Sequence, residues 1–454
     1  MSYSSAVAQM YALGHELAHT PSHKFDLAHM RVLLAALGHP ETKFPSVLIA
    51  GTNGKGSTAA TLAAILQASG LKTGLYTSPH LVRINERIRI DGQPISDDDF
   101  TALHDNVDRI AERLVVEHAL PWHPSFFEML TAMAFEHFAR RKPDMVVLEV
   151  GMGGRLDATN VVEPVLSVIA DISLDHQKFL GNTLREIAGE KAGIIRREGV
   201  VVTLPQSPEA NDVIGNTILD RGARGVSAVA YVPPVSPAST QYIVPSAEQD
   251  VPSGIRQRYP LEVMGQQILV ESPLAGRHQL RNIALAIAVV VELRSHGFVQ
   301  ITAQTIERGI RETHWPGRFQ AVPAHARYPE IVLDVAHNPA GAWALRSTLS
   351  AAYEDRPITL VFGVMRDKAV SEVAEILFPI AEHVIVTHAN NPRSATAAEI
   401  RQAASRVEVD IREATDVPSA LAEAQRVAGP QGLVVVTGSI YIVGEAMQAL
   451  GLSI

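Results

Sequence analysis

The sequence predicts an α/β protein in two units, a mostly parallel sheet with covering helices followed by a smaller Rossmann-like α/β unit. Short apolar runs alternate with helical patterns over most of the chain, which is how a parallel sheet covered on both faces reads. The pattern breaks at Trp315-Pro316-Gly317-Arg318 and then begins afresh. At 454 residues the chain is also long for one hydrophobic core. The expected division is residues 1–315 and 316–454.

Each element has a local reason. Phe25 to Gly38 carries apolar residues at helical spacing, with Asp26 near its start and Gly38 as a stop. Val47 to Ala50 is an apolar strand that breaks at Gly51 into a glycine-rich turn, and helical spacing resumes from Ala59 to Leu66. Lys72 to Thr77 reads as a short strand, and Ser78-Pro79-His80-Leu81 as a turn able to face a ligand. Helices are expected over Asp97 to His118 and Phe126 to Arg140, strands over Met145 to Val150 and Val165 to Ile172, and a helix over Thr183 to Arg196. From Ser207 to Tyr259 proline and serine accumulate and no period survives, so irregular structure with a few short strands is expected. Arg277 to Arg294 and Thr302 to Glu312 read as helices. The second series runs strand Ile331 to Asp334, helix Ala340 to Tyr353, strand Ile358 to Phe362, helix Val370 to Ile380, strand Val384 to Thr387, helix Ala397 to Ala404 and strand Leu433 to Thr437.

Composition narrows the function. Thirty-nine Lys and Arg against 48 Asp and Glu give a net charge of −9, which argues against a broad nucleic-acid footprint, so an anionic ligand must be held by local cations. The chain has no cysteine, which removes disulfides, thiolate metal sites and cysteine nucleophiles together. Met1 to Thr20 lacks the pattern of a secretory leader, and the longest apolar stretch, Ile283 to Val291, has only the length of a core helix. A cytoplasmic monomer acting on small molecules, without nucleic-acid or membrane partners, is expected.

The turn Gly51-Thr52-Asn53-Gly54-Lys55-Gly56-Ser57-Thr58 joins a strand to a helix. Its glycines let backbone N–H groups approach an anion, and the positive end of the helix attracts it. Lys55 supplies a cation for phosphates and Ser57 a hydroxyl suited to Mg²⁺, making this a P-loop-type element. The motif is a variant, because Gly56 separates Lys55 from Ser57; a glycine-rich turn without nucleotide has the same outline. Glu149 ends an otherwise apolar strand, where a carboxylate suits Mg²⁺ beside phosphate or else caps a loop. His176 also follows an apolar strand and reads as a metal ligand or a structural histidine. Lys191 has Ile187, Ala188, Ile194 and Ile195 three and four residues away, so it either snorkels to solvent or has a buried role. Arg318, Asp334 and His337-Asn338-Pro339 are placed to close over a nucleotide from the second unit, or are ordinary turn chemistry. Ser439 and Tyr441 follow an apolar strand, where a pocket or a solvent turn fits equally.

Seven ordered motifs, Ala50 to Ser57, Ser78 to Leu81, Leu148 to Asn160, Gly189 to Ile194, Trp315 to Arg318, Asp334 to Pro339 and Thr437 to Ser439, resemble those of bifunctional dihydrofolate synthase/folylpolyglutamate synthases of the Mur ligase superfamily. The resemblance runs from about Phe25 to Gly444 and is weakest between Ser207 and Tyr259. It implies an ATP-dependent ligase that joins L-glutamate to dihydropteroate and adds glutamates to reduced folates. Folylpolyglutamate synthase activity alone, or another Mur-type amino-acid ligase, is the alternative, and a nucleotide-driven switch the more distant one. The resemblance also implies ATP as co-substrate and two Mg²⁺ sites, with Ser57, Glu149 and His176 as ligands and Lys191 carbamylated. It places Gly51 to Thr58, Asn282, Arg318 and Asp334 on the nucleotide. Ser78, His337 and Ser439 would lie near glutamate, and Ser125, Phe127, Asp157 and Ala158 around the pterin. Lys55, Lys191, Arg318 and His337 would carry the catalysis.

Overall fold

The computed structural model describes residues 1–14, 27–234, 241–243, 255–325 and 328–452. Two helices open the chain, α1 (Tyr3–Ala12) and α2 (Leu27–Ala36); Phe25 and Asp26, expected at the start of the second, lie outside the described residues. The main sheet comprises β1 (Ser46–Ala50), β2 (Thr73–Tyr76), β3 (Ile88–Ile90), β4 (Gln93–Pro94), β5 (Met145–Glu149), β6 (Leu166–Ile169), β7 (Val200–Thr203) and β8 (Arg224–Ser227). Their order is β4-β3-β2-β5-β1-β6-β7-β8, parallel from β2 to β8, with β3 and β4 antiparallel at one edge. Period-two alternation sends Val47 and Ile49 into one core layer and Leu48 and Ala50 into the other. The first layer holds α3 (Lys55–Ala68), and the second α4 (Asp97–Val116) and α5 (Phe126–Arg141). At the carboxyl end lie the one-turn α6 (Gln177–Leu180) and α7 (Leu184–Ala192).

The stretch expected to be irregular is only partly so. β7 just before it and β8 within it extend the main sheet, and between them runs α8 (Pro208–Asp220), begun by Ser207 with proline at the first turn. Beyond residue 240 come β9 (Gln241–Ile243), β10 (Arg256–Val263) and β11 (Gln266–Ser272), an antiparallel sheet turning at Met264-Gly265, both with positive φ. Tyr259, Leu261 and Val263 pack it onto α9 (Arg277–Ser295) and α10 (Ala303–Arg311).

A third sheet holds β12 (Gln320–Val322), β13 (Glu330–Leu333), β14 (Ile358–Phe362), β15 (His383–Val386), β16 (Asp410–Glu413) and β17 (Leu433–Thr437), ordered β12-β13-β17-β14-β15-β16. All but β12 run parallel. The expected helices appear as α11 (Pro339–Ala352), α12 (Val370–Leu377) and α13 (Ala397–Ala403). Unanticipated are β12, β16, α14 (Val417–Ala428) and α15 (Ile440–Ala449); Ser439 and Tyr441 therefore begin a helix instead of a turn. Among the described residues no helix is long and apolar enough to cross a membrane.

Candidate active site

The carboxyl ends of the two parallel sheets face one another, and side chains from both line a cavity of about 450 Å³. From β1 the chain turns through Gly51 to Gly54 into α3, whose N-cap Gly54 has φ +84°, a conformation other side chains rarely adopt. A methyl group on Gly56 would come within 2.9 Å of the Trp315 ring, so the loop needs glycine there to sit beneath that ring. Asp171 and Ser173, just after β6, hold the loop: the Thr52 and Asn53 amides donate to the Asp171 carbonyl at 2.8 and 3.1 Å, and Asn53 Nδ2 donates to Ser173 Oγ at 2.9 Å. Lys55 Nζ folds back to the carbonyls of Gly51 and Thr52 at 3.0 and 3.2 Å. Burial lowers its pKa, opposed by the charges of Glu149, Asp175 and Asp157. Ser57 and Thr58 are buried in the first turn of α3.

Glu149 ends β5 and accepts the Ser78 amide at 3.1 Å through Oε2. Burial raises its pKa, against Lys55, the Ser78 amide and Arg318. His176 follows β6 with φ +51°; burial and the charge of Lys368 lower its pKa to about 4, keeping it neutral, the form in which imidazole ligates metals. Lys191 resolves the choice left open by its sequence: it is buried, and Nζ donates to the Gly51 carbonyl at 2.8 Å. Burial and the neighbouring Lys55 bring its pKa down to about 7. Lys55 Nζ and Lys191 Nζ both donate to the Gly51 carbonyl, so β1 and α7 meet there, and the charge of Lys55 also acts on Glu149 and His176.

From the second unit comes Arg318, partly buried, its pKa lowered by desolvation and raised by Asp334 and Glu149; a guanidinium stays charged under these conditions. Asp334 uses both oxygens on the chain itself, accepting the amides of Phe319 and Ala336 at 2.9 Å each, so it ties the segment after Arg318 to the end of β13. His337 hydrogen-bonds the Val335 carbonyl through Nδ1 at 2.9 Å, and Ser439 caps α15 by accepting the Tyr441 amide at 3.2 Å. Both line the cavity, with Arg318 and Ser78. Asn282 stands on α9 against Gly54 and donates to Gln279 at 2.8 Å.

Two family models match the chain: the Mur ligase middle domain over residues 127–290 and the Mur ligase glutamate ligase domain over 317–440. The dihydrofolate synthase/folylpolyglutamate synthase of Bacillus subtilis is 34% identical over 93% of this chain and 94% of its own. The chain belongs to the dihydrofolate synthase/folylpolyglutamate synthase family of Mur ligases. A Mycobacterium tuberculosis folylpolyglutamate synthase solved with ADP and AMPPCP superposes with a TM-score of 0.85 at 32% identity, covering 99% of both chains. The Escherichia coli FolC structure with DHPP and ADP has a TM-score of 0.80 at 28% identity, over 99% of this chain and 98% of that one.

Against that family background, the apolar half of the cavity takes its shape from the loop after β5. Asp157 accepts the amides of Met152 and Thr159 at 2.9 and 3.0 Å, and Phe127 lies over Gly151, where an added methyl would come within 2.5 Å of the ring. Ser125 caps α5 in a capping box with Glu128, so its hydroxyl is shared with the helix end. Ser125, Phe127, Asp157 and Ala158 all line the cavity. Three residues of the site were not singled out from sequence: Asp175, Lys368 and Arg393. Asp175 accepts from Lys368 Nζ at 2.8 Å; burial would raise its pKa, but His337, His176 and Lys368 hold it well below the usual carboxylate range. Its position beside His176, and that of Lys368 just beyond an apolar strand, were the available signals.

Proposed function

We propose that the protein is an ATP-dependent ligase that joins L-glutamate to 7,8-dihydropteroate and adds further glutamates to reduced folates, releasing ADP and phosphate. Residues 1–315 form its ATP-binding domain and 316–454 its glutamate-ligase domain. The observation that carries this reading is the meeting of Arg318, His337 and Ser439 from the second unit with Ser78 and the apolar loop after β5 at one cavity, with Lys55 of the glycine turn in electrostatic reach of Arg318. The Bacillus subtilis relative bears both activities in its name, and the E. coli structure holds DHPP with ADP.

A carboxylate is a poor electrophile, so the amide requires activation. A carboxylate oxygen of the pterin substrate attacks the γ-phosphorus of ATP, ADP departs, and an acyl phosphate results. Lys55 and Arg318 neutralise charge on the group in transfer. The glutamate amine then attacks the acyl carbon, phosphate leaves with the carboxylate oxygen, and the ammonium proton is lost. The apposed units exclude the water that would hydrolyse the intermediate. Catalysis of this kind rests on positioning and electrostatics. In this reading Asn282 lies by the adenine, Ser78, His337 and Ser439 by glutamate, and Ser125, Phe127, Asp157 and Ala158 by the pterin, while Asp334 acts by tying the segment after Arg318 to the end of β13.

The donor set suits a divalent cation: the Ser57 hydroxyl, the second oxygen of Glu149 and a neutral His176. Among the described residues no three His, Cys, Asp or Glu side chains make a metal site of their own, so phosphate oxygens and water would complete the shell. Mg²⁺ bound there supplies charge neutralisation for the phosphates. Lys191, with its pKa near 7, has the neutral amine needed to take up CO₂, and the resulting carbamate would serve a second Mg²⁺ site. The enzyme would act as a cytoplasmic monomer. Lys55→Ala is expected to abolish ADP release dependent on dihydropteroate and glutamate while the thermal transition stays cooperative. Near-normal turnover in that variant would refute the phosphate role.

A further inference from the structure

The two units are joined at the cavity by a cluster in which Asp175 is the hub. Its Oδ1 accepts from Lys368 Nζ at 2.8 Å, and its Oδ2 lies 3.4 Å from Asn338 Nδ2 and 3.7 Å from His337 Nε2. The side chains of Asp175 and Lys368 are only 10% and 9% exposed, so this is a desolvated ion pair rather than a surface one. Asn338 Nδ2 also donates to Asn53 Oδ1 at 3.0 Å, and Asn338 Oδ1 caps α11 by accepting the Gly341 amide at 2.8 Å. The cluster thus reaches from the phosphate loop to the first turn of α11.

Lys368 is offered by a fixed loop. Its amide donates to the Met365 carbonyl at 3.1 Å, Arg366 N donates to the Arg393 carbonyl at 2.8 Å, and Arg393 grips both oxygens of Asp367 at 2.8 and 2.9 Å. A long lysine side chain held at both ends transmits position, because moving either unit would strip a buried charge of its partner.

We propose that Asp175 and Lys368 are positioning residues, a buried clasp that fixes the closed relation of the two strand edges and thereby seats His337 and Asn53. The clasp consists of protein groups alone, so it acts on the free chain as well as on complexes. Only its kinetic consequence rests on the ligase reading above.

The chain has no cysteine, so Val116→Cys and Gln402→Cys, on exposed positions of the two units, accept a dye pair specifically. In the free protein, Lys368→Met and Asp175→Asn should each shift energy transfer away from the parent value, while Lys368→Arg keeps it. The double variant Asp175→Asn/Lys368→Met should be no worse than either single one, because it leaves no unpaired charge. Glutamate KM should follow the same pattern, rising roughly tenfold in each single variant and not a hundredfold in the double. Unchanged transfer in both single variants, or fully additive losses, would overturn the clasp. Should Asp175→Asn fail to fold, Lys368→Met against Lys368→Arg still decides. A chain that shows the transfer shifts but no glutamate-dependent turnover would keep the clasp and sink the ligase reading.

Discussion

Lys191 owes its chemistry to its surroundings. A lysine in water is protonated at neutral pH and does not react with CO₂; burial and Lys55 bring this one to about 7. With isotopically labelled bicarbonate, the protein should show a carbamate resonance that Lys191→Arg removes, and absence of the resonance in the parent protein would contradict the assignment. The sequence displayed an unpaired lysine among isoleucines and alanines but not its bond to the Gly51 carbonyl, because that bond spans 140 residues. The same limit hid Asp175 and Lys368, whose partners lie in the other unit. The places of Glu149 and His176 at the carboxyl edge of the sheet were legible because an apolar strand precedes each.

At the scale of elements, the glycine turn between β1 and α3 was readable since glycine spacing reports backbone demands directly. Gly56→Val should break it: the branched side chain meets Trp315, so ATP-dependent stabilisation should vanish while the unliganded thermal midpoint falls by only a few degrees. An unaltered nucleotide-induced shift would argue against the loop as the phosphate site. Helix α5 carries a pH-dependent liability in His137. Burial and Arg141 lower its pKa to about 4, against Asp99. The unfolded chain therefore binds more protons between pH 6.5 and 4, and stability attributable to this group is lost as pH falls through that window. His137→Gln should flatten the decline of Tm between those values, as calorimetry across pH will check. Among the elements that escaped the sequence, α8, β16 and α14 are ones whose apolar spacing is diluted by charged or small residues, and β7 and β8 are four-residue strands that carry little period.

For the whole molecule, what matters is how the two carboxyl edges are held face to face. Besides the Asp175 clasp, Leu81 from the loop after β2 packs into the core of the second unit, and its carbonyl lies against Gly444 on α15. Gly444→Val should push the units apart, lowering kcat strongly while the circular dichroism of both units persists; a fully active variant would show that this contact is incidental. The alternation of strands and helices revealed the two large sheets, and the break in pattern at Trp315 to Arg318 precedes β12, but neither shows how the two dock. Docking depends on a handful of residues such as Leu81, Asn338 and Lys368 that carry no periodic signal. The most direct measurement is glutamate-dependent ADP formation with dihydropteroate, tetrahydrofolate and UDP-muramoyl substrates compared side by side, with the products weighed by mass spectrometry. Turnover with the two pterin substrates, each gaining glutamate, is the predicted result; glutamate added only to the UDP-muramoyl substrate, or ADP formed with no amide product, would contradict it.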